Sequence, residues 1–253
     1  MPLPSHPTLI VFDKDGVLLD LNATWMPLII GIADYLSGRV DGSIDRDALL
    51  AAVGVEMVPG TDEGRILENS VFAAGTFVAM REIWQEMSPA LAPVFADQEG
   101  YRAAMQQIRE EKVRGRTAAK GDVAAELARL RAAGWALGIA TNDSINSTQI
   151  NLEDMGIAGA FDVVICADSG FGRKPEAGGL LEACRATGYD AADAIMVGDT
   201  QTDWLAAHNA GYGGFVAIAD GAPQLPDFIP SADLVLTEIG GLGDALGAAQ
   251  KAV

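Results

Sequence analysis

The sequence predicts an α/β fold, a doubly wound parallel sheet with an all-α segment inserted after its first strand. Three observations predict it. The apolar run Leu9 to Phe12 is short and does not alternate with polar residues, as in a strand buried on both faces, and it ends in acids. From Asn22 to about Lys112 the apolar residues recur three or four apart, with no strand-like stretch between them. From Gly121 onward strands and helices alternate, which calls for a parallel sheet covered by helices on both faces.

The elements follow in order. Leu9 to Phe12 ends in Asp13, Asp15 and Gly16. Ligands of open parallel sheets sit at the carboxyl ends of strands, so two acids one residue apart make a candidate site for a divalent cation and a reacting group. An Asp-Gly turn is the plainer reading of the same residues. Gly16 to Asp20 should turn out of the sheet. Helices are expected over Thr24 to Leu36, Ile44 to Val53, Glu68 to Met87 and Phe95 to Lys112, with Pro27 near the start of the first and a loop at Val58 to Gly64. Trp25, Met80, Trp84 and Met87 read as packing within this helical lid.

Asp122 is placed to cap a helix through Val123, Leu127 and Leu130 that closes at Gly134. A strand at Ala136 to Ala140 ends in Thr141, Asn142 and Asp143. After a helix with Ile145, Leu152 and Met155 on one face, a strand at Val163 to Ala167 leads into a loop carrying Arg173 and Lys174. A helix through Leu180, Leu181 and Cys184 stops at Gly188. The strand Ala194 to Gly198 ends in Asp199, Thr200, Gln201, Thr202 and Asp203, and further strands are expected at Gly214 to Ala219 and Asp233 to Leu236.

Composition bounds the function. With 253 residues, 49% of them hydrophobic, the chain has ample core for one large or two modest domains of a soluble globular protein. Seventeen basic against 35 acidic residues give a formal charge of −18, which repels phosphate backbones and argues against nucleic acid as a partner. A small anion would be repelled too, so an anion site needs a metal, a lysine or backbone N–H groups. The excess acid otherwise reads as solvated surface. The apolar runs Asn69 to Met80 and Trp204 to Ala219 are too short or too interrupted to span a membrane, and the N-terminus lacks an export pattern. With Cys166 and Cys184 read as buried free thiols, a cytoplasmic setting is expected.

Segments that follow separate strands thus deliver Asp13 and Asp15, Thr141, Lys174, and Asp199 with Asp203 to one edge of the sheet. Clustered acids repel by about 4 kcal/mol per pair at about 4 Å and an effective dielectric of about 20, so the cluster requires a cation. A hard divalent ion, Mg²⁺ before others, suits oxygen ligands. Lys174 and the Thr141 hydroxyl would then hold the oxygens of a transferring phosphoryl group.

The segments DKDGVLLD, ATND, GRKPEA and GDTQTD resemble, in order and spacing, the four motifs of the haloacid dehalogenase superfamily, nearest its phosphoglycolate phosphatase and β-phosphoglucomutase group. The resemblance implies a Rossmann-like core from residues 1–20 and 113–253 and a helical cap from 21–112. It implies a Mg²⁺-dependent phosphatase that hydrolyses a small phosphorylated metabolite, phosphoglycolate-like, through an aspartyl phosphate. Asp13 would be the nucleophile, and Asp15 the general acid and then the general base. Dehalogenases of the superfamily lack this second acid. Thr141 and the backbone N–H of Asn142 would bind phosphate oxygens, Lys174 would offset charge, and Asp199 would complete a metal site with Asp13 and the Asp15 carbonyl. Asp203 would support the metal shell, through water or by pairing with Lys174.

Three departures stand out. Val17 replaces the Thr of many members and matches the mutase branch. Lys14 should point away from the site by strand alternation, and GRKPEA lacks a second proline. Arg65 is a candidate contact for a substrate carboxylate and Arg173 for an anion, each against the reading of an exposed surface arginine. The cap is expected to hinge at Asp20 to Asn22 and Lys112 to Lys120, whose basic residues read as a solvated connector. Two alternatives remain: a phosphosugar mutase using the same intermediate, and a phospho-acceptor signalling receiver. Receivers, however, are about half this length, lack a lid and carry the acceptor Asp after the third strand. Monomer and homodimer are both open.

Overall fold

Strand β1 (Leu9–Phe12) is buried along its whole length, and the rest of the sheet is built outward from it. The computed structural model describes residues 8–40, 43–67, 70–74, 77–219 and 229–251. Residues 1–7, which carry the export reading, and 68–69, where the third expected helix would begin, lie outside the described residues. The chain divides into two units, Leu21–Thr117 and the remainder on either side of it.

The inserted unit holds α1 (Leu21–Arg39), α2 (Arg46–Ala52), strands β2 (Val55–Met57) and β3 (Gly64–Ile66), α3 (Val71–Ala74), α4 (Phe77–Met87), α5 (Ala92–Ala96) and α6 (Gln98–Lys112). Trp25, Leu28, Ile29, Ile32 and Leu36 of α1 are buried, and the Trp84 indole N–H donates to the Leu49 carbonyl at 2.9 Å. Two features depart from the elements expected here, the first of them from the all-α expectation. β2 and β3 pair as an antiparallel hairpin with Glu56 opposite Arg65. The helix expected from Phe95 breaks at Asp97, whose side chain caps α6 by accepting from Gly100 N–H at 3.0 Å. The unit also runs past the expected Lys112, because Val113 and Arg116 continue the final turn of α6 with backbone bonds to Arg109 and Val113.

The remaining unit continues with α7 (Val123–Ala132), β4 (Ala136–Ala140), α8 (Ile145–Asp154), β5 (Val163–Ile165), α9 (Gly178–Thr187), β6 (Ala194–Gly198), α10 (Gln201–Ala210), β7 (Gly214–Ile218), β8 (Leu234–Leu236) and α11 (Leu242–Lys251). All six expected strands form one parallel sheet in the order β5-β4-β1-β6-β7-β8. Successive side chains of β1 enter opposite layers. Ile10 and Phe12 join Leu127 and Leu130 of α7 and Leu242 of α11, while Leu9 and Val11 join Leu180 of α9 and Ala206 of α10. Both faces are therefore covered, as the unalternated apolar runs require. Among the described residues no helix is long and apolar enough to cross a membrane.

Candidate active site

Numbered within the sheet alone, the strand order is 3-2-1-4-5-6, and the direction of winding reverses between β1 and β6. Ligands of such sheets bind beyond the carboxyl ends of the strands at this switch point. Asp13 extends the ladder there, its N–H donating to the Val197 carbonyl at 2.8 Å. Asp199 leaves the neighbouring strand, and Asp203 stands on the first turn of α10. Carboxylate oxygens of Asp13, Asp199 and Asp203 lie within 4.8 Å of one another.

Two glycines make room for this. Gly16 has φ +80°, and a Cβ built on it would stand 1.9 Å from Asp199 Oδ2. A Cβ on Gly198 would stand 2.3 Å from that of Asp203. Asp203 is fully buried and its carboxylate is committed: Oδ2 accepts from the Thr200 N–H at 2.9 Å and hydroxyl at 2.6 Å, and Oδ1 accepts from Lys174 Nζ at 2.6 Å. The same ammonium lies 2.6 Å from Asp13 Oδ1.

Lys174 is held by an amide clamp. Asn142 Nδ2 donates to the Lys174 carbonyl at 2.9 Å, and Asn142 Oδ1 accepts from the Lys174 N–H at 2.8 Å. Thr141, Asn142 and Lys174 line one cavity together with Cys166 and Glu176. The Thr141 oxygen accepts from the Asp143 N–H at 3.1 Å. The structure thus brings Asp13, Lys174, Asp199 and Asp203 together and sets Thr141 and Asn142 beside Lys174. Arg65 lies in the inserted unit, where it pairs with Glu56 Oε2 at 2.6 Å, and Arg173 is exposed.

A match to the haloacid dehalogenase-like hydrolases spans residues 7–211. The chain belongs to this family. A phosphoglycolate phosphatase of Caulobacter vibrioides is 29% identical over 229 residues, covering 90% of this chain and 85% of that protein. The pyrophosphatase PpaX of Bacillus velezensis is 28% identical over 205 residues, covering 81% and 80%. The crystal structure of a HAD phosphatase from Thermococcus onnurineus superposes with a TM-score of 0.68 at 23% identity, covering 95% of this chain and 98% of that one, which is a likeness of fold. Family and sheet order together dispose of the receiver alternative.

The electrostatics of this haloacid dehalogenase-like site suit a divalent cation. Burial, opposed by Lys174 and reinforced by Asp203 and Asp15, pushes the Asp13 carboxyl up to about 7. Burial and then Asp13 and Asp203 hold Asp199 well above the ordinary carboxylate range. Burial alone would lower Lys174, but Asp13 and Asp203 overcome it and raise the ammonium above its usual value. Asp199 Oδ1 is buried with no hydrogen-bond partner among the described residues. A bare, buried carboxylate oxygen among mutually repelling acids fits a hard divalent ion.

Several contributors escaped the sequence. The Asn142 clamp joins a side chain to a distant backbone, and the demand for glycine at 16 and 198 is steric; neither has a linear signal. Lys120, read as part of a solvated connector, donates to the Gly16 carbonyl at 2.6 Å and helps to offset the charge of Asp199. Lys14 is fully buried and meets Asp15 at 2.8 Å. Strand alternation did not foresee this contact because β1 has already ended at Phe12.

Proposed function

We propose that the protein is a Mg²⁺-dependent phosphatase of small phosphomonoesters, phosphoglycolate-like in substrate, working through a phosphoaspartate on Asp13. One observation carries the reading: the Lys174 ammonium bridges Asp13 and Asp203 at 2.6 Å each, beside an Asp199 oxygen that no group among the described residues satisfies. A nucleophile, a fixed cation and an open anionic ligand are the parts phosphoryl transfer needs. The Caulobacter relative supports the substrate class.

Asp13, Asp199 and the Asp15 carbonyl would hold the ion, which when bound supplies positive charge to the phosphoryl oxygens and the nucleophile. Asp13 Oδ attacks phosphorus as the bond to the ester oxygen breaks, and Asp15 gives its proton to that oxygen. Water then passes a proton to Asp15 and attacks the same phosphorus, which frees Asp13 and releases phosphate. Lys174 offsets charge throughout, fixed by the Asn142 clamp. The Thr141 oxygen already accepts from Asp143, so its hydrogen is left for a phosphate oxygen. Asp203 serves as the partner of Lys174 and the cap of α10. Arg65 would contact a substrate carboxylate by giving up Glu56, so Arg65→Ala should raise KM for phosphoglycolate more than for an aryl phosphate.

The Val17 side chain is fully buried in the apolar core, where packing accounts for it, so it does not separate phosphatase from mutase. Asp13→Asn should abolish Mg²⁺-dependent hydrolysis of p-nitrophenyl phosphate and of metabolite phosphates while circular dichroism stays native. Retained turnover would refute the nucleophile assignment. Transfer between sugar positions that outruns phosphate release would replace the phosphatase by a mutase.

A further inference from the structure

Lys14 sits between the two acids that the proposed mechanism uses, and its side chain is wholly buried. Its ammonium is faced by three oxygens from three parts of the chain, two carboxylates in ion pairs and one amide that accepts a hydrogen bond. Asp15 Oδ2 lies 2.8 Å away in the loop after β1, Asp143 Oδ2 3.2 Å away in the loop after β4, and Asn151 Oδ1 2.9 Å away on α8. Asn151 is itself fully buried within a helix, so it fixes the ammonium to the scaffold. The Asp15 side chain is about a quarter exposed, on a loop, and in the proposed mechanism it hands a proton to the leaving group. Burying an ammonium is costly, and an apolar side chain would fill the same interior space without that cost. The charge therefore calls for a role besides filling space.

We propose that Lys14 is a positioning residue that fixes the Asp15 carboxylate for proton transfer. This rests on the phosphatase reading above. Holding Oδ2 against the ammonium restricts rotation of the carboxylate that gives and takes the reacting proton. In the first step that proton goes from Asp15 to the ester oxygen as the phosphorus–oxygen bond breaks and the Asp13–phosphorus bond forms. In the second it comes from the attacking water as the Asp13–phosphorus bond breaks. General acid catalysis matters in proportion to how poor the leaving group is. Misplacing Asp15 therefore harms an alkyl ester, which must leave as an alkoxide, far more than an ester of p-nitrophenol.

The test compares kcat/KM, which reports events up to departure of the leaving group, for phosphoglycolate and p-nitrophenyl phosphate. The variants are Lys14→Met, close in length but without the charge, and Lys14→Gln, which keeps a donor for the polar pocket but falls short of Asp15. Circular dichroism and cooperative melting decide which of them is read. We expect kcat/KM for phosphoglycolate to fall at least about tenfold and that for p-nitrophenyl phosphate by less than about threefold. In an Asp15→Asn background the additional loss from the Lys14 change should vanish, as for two residues acting as one unit. Parallel losses on the two esters, or the same loss in the Asp15→Asn background, would overturn the inference and leave Lys14 a structural pin. A wild-type protein that turns over neither ester would overturn the phosphatase reading and this inference with it.

Discussion

At Gly16 the backbone turns through φ +80° directly against the Asp199 carboxylate, so this one position joins the loop of the nucleophile to the proposed metal ligand. Gly16→Ala meets two penalties, a left-handed backbone worth about 1–2 kcal/mol and a displaced Asp199. It should lower stability by that amount in denaturant titrations and raise the Mg²⁺ concentration needed for half-maximal activity. The acids, Thr141 and Lys174 were legible in the sequence because reactive residue types at the ends of apolar runs are chemically conspicuous. Asn142 was legible only for its backbone N–H; its side-chain clamp, Gly198 and the contacts of Lys14 were not. Their work consists of contacts with residues far along the chain, and nothing in their immediate surroundings betrays it.

Helix α10 shows how an element and a site share one residue. Asp203 closes the reciprocal cap with Thr200 and holds Lys174, so the helix start and the ammonium are fixed together. Glu126 plays a purely structural counterpart. Buried on α7, it accepts from the N–H groups of Gly241 at 3.3 Å and Gly243 at 2.7 Å and so secures the start of α11. Glu126→Ala should cost about 1–3 kcal/mol in thermal or denaturant unfolding, because it strands partly buried donors, while kcat well below the melting temperature is kept. Loss of kcat at unchanged stability would contradict that division of labour. The six strands were legible from their unalternated apolar runs. The hairpin of β2 and β3 was not, because three residues per strand hold too few repeats of a two-residue period to stand out against helical neighbours.

For the molecule as a whole, the acid cluster ties stability to pH and to divalent cation. Asp13 moves from 3.8 to about 7 on folding, and Asp199 rises as well. Between these values the folded state binds more protons than the unfolded chain. The contribution of the pair is therefore favourable at low pH and is lost as pH rises through the folded values. A cation binds the ionised carboxylates, so Mg²⁺ should restore what the rise in pH removes. The Tm difference between Mg²⁺ and chelator should be small at pH 5 and large at pH 8, and Asp199→Asn should flatten it, which separates site binding from general screening of a chain of charge −18. A difference that does not change with pH would remove the ion from the cluster.

The pairing of β1 with β6 also bears on how the chain comes into being. β1 leaves the ribosome early, whereas the strand that covers its second edge follows only after the inserted unit, β4 and β5 have been made. Until then a fully apolar strand offers unpaired N–H and carbonyl groups to any passing neighbour, the hazard native sheets avoid by keeping such strands inside. Nascent chains halted before Ala194 should accordingly depend on holdase chaperones and aggregate when deprived of them.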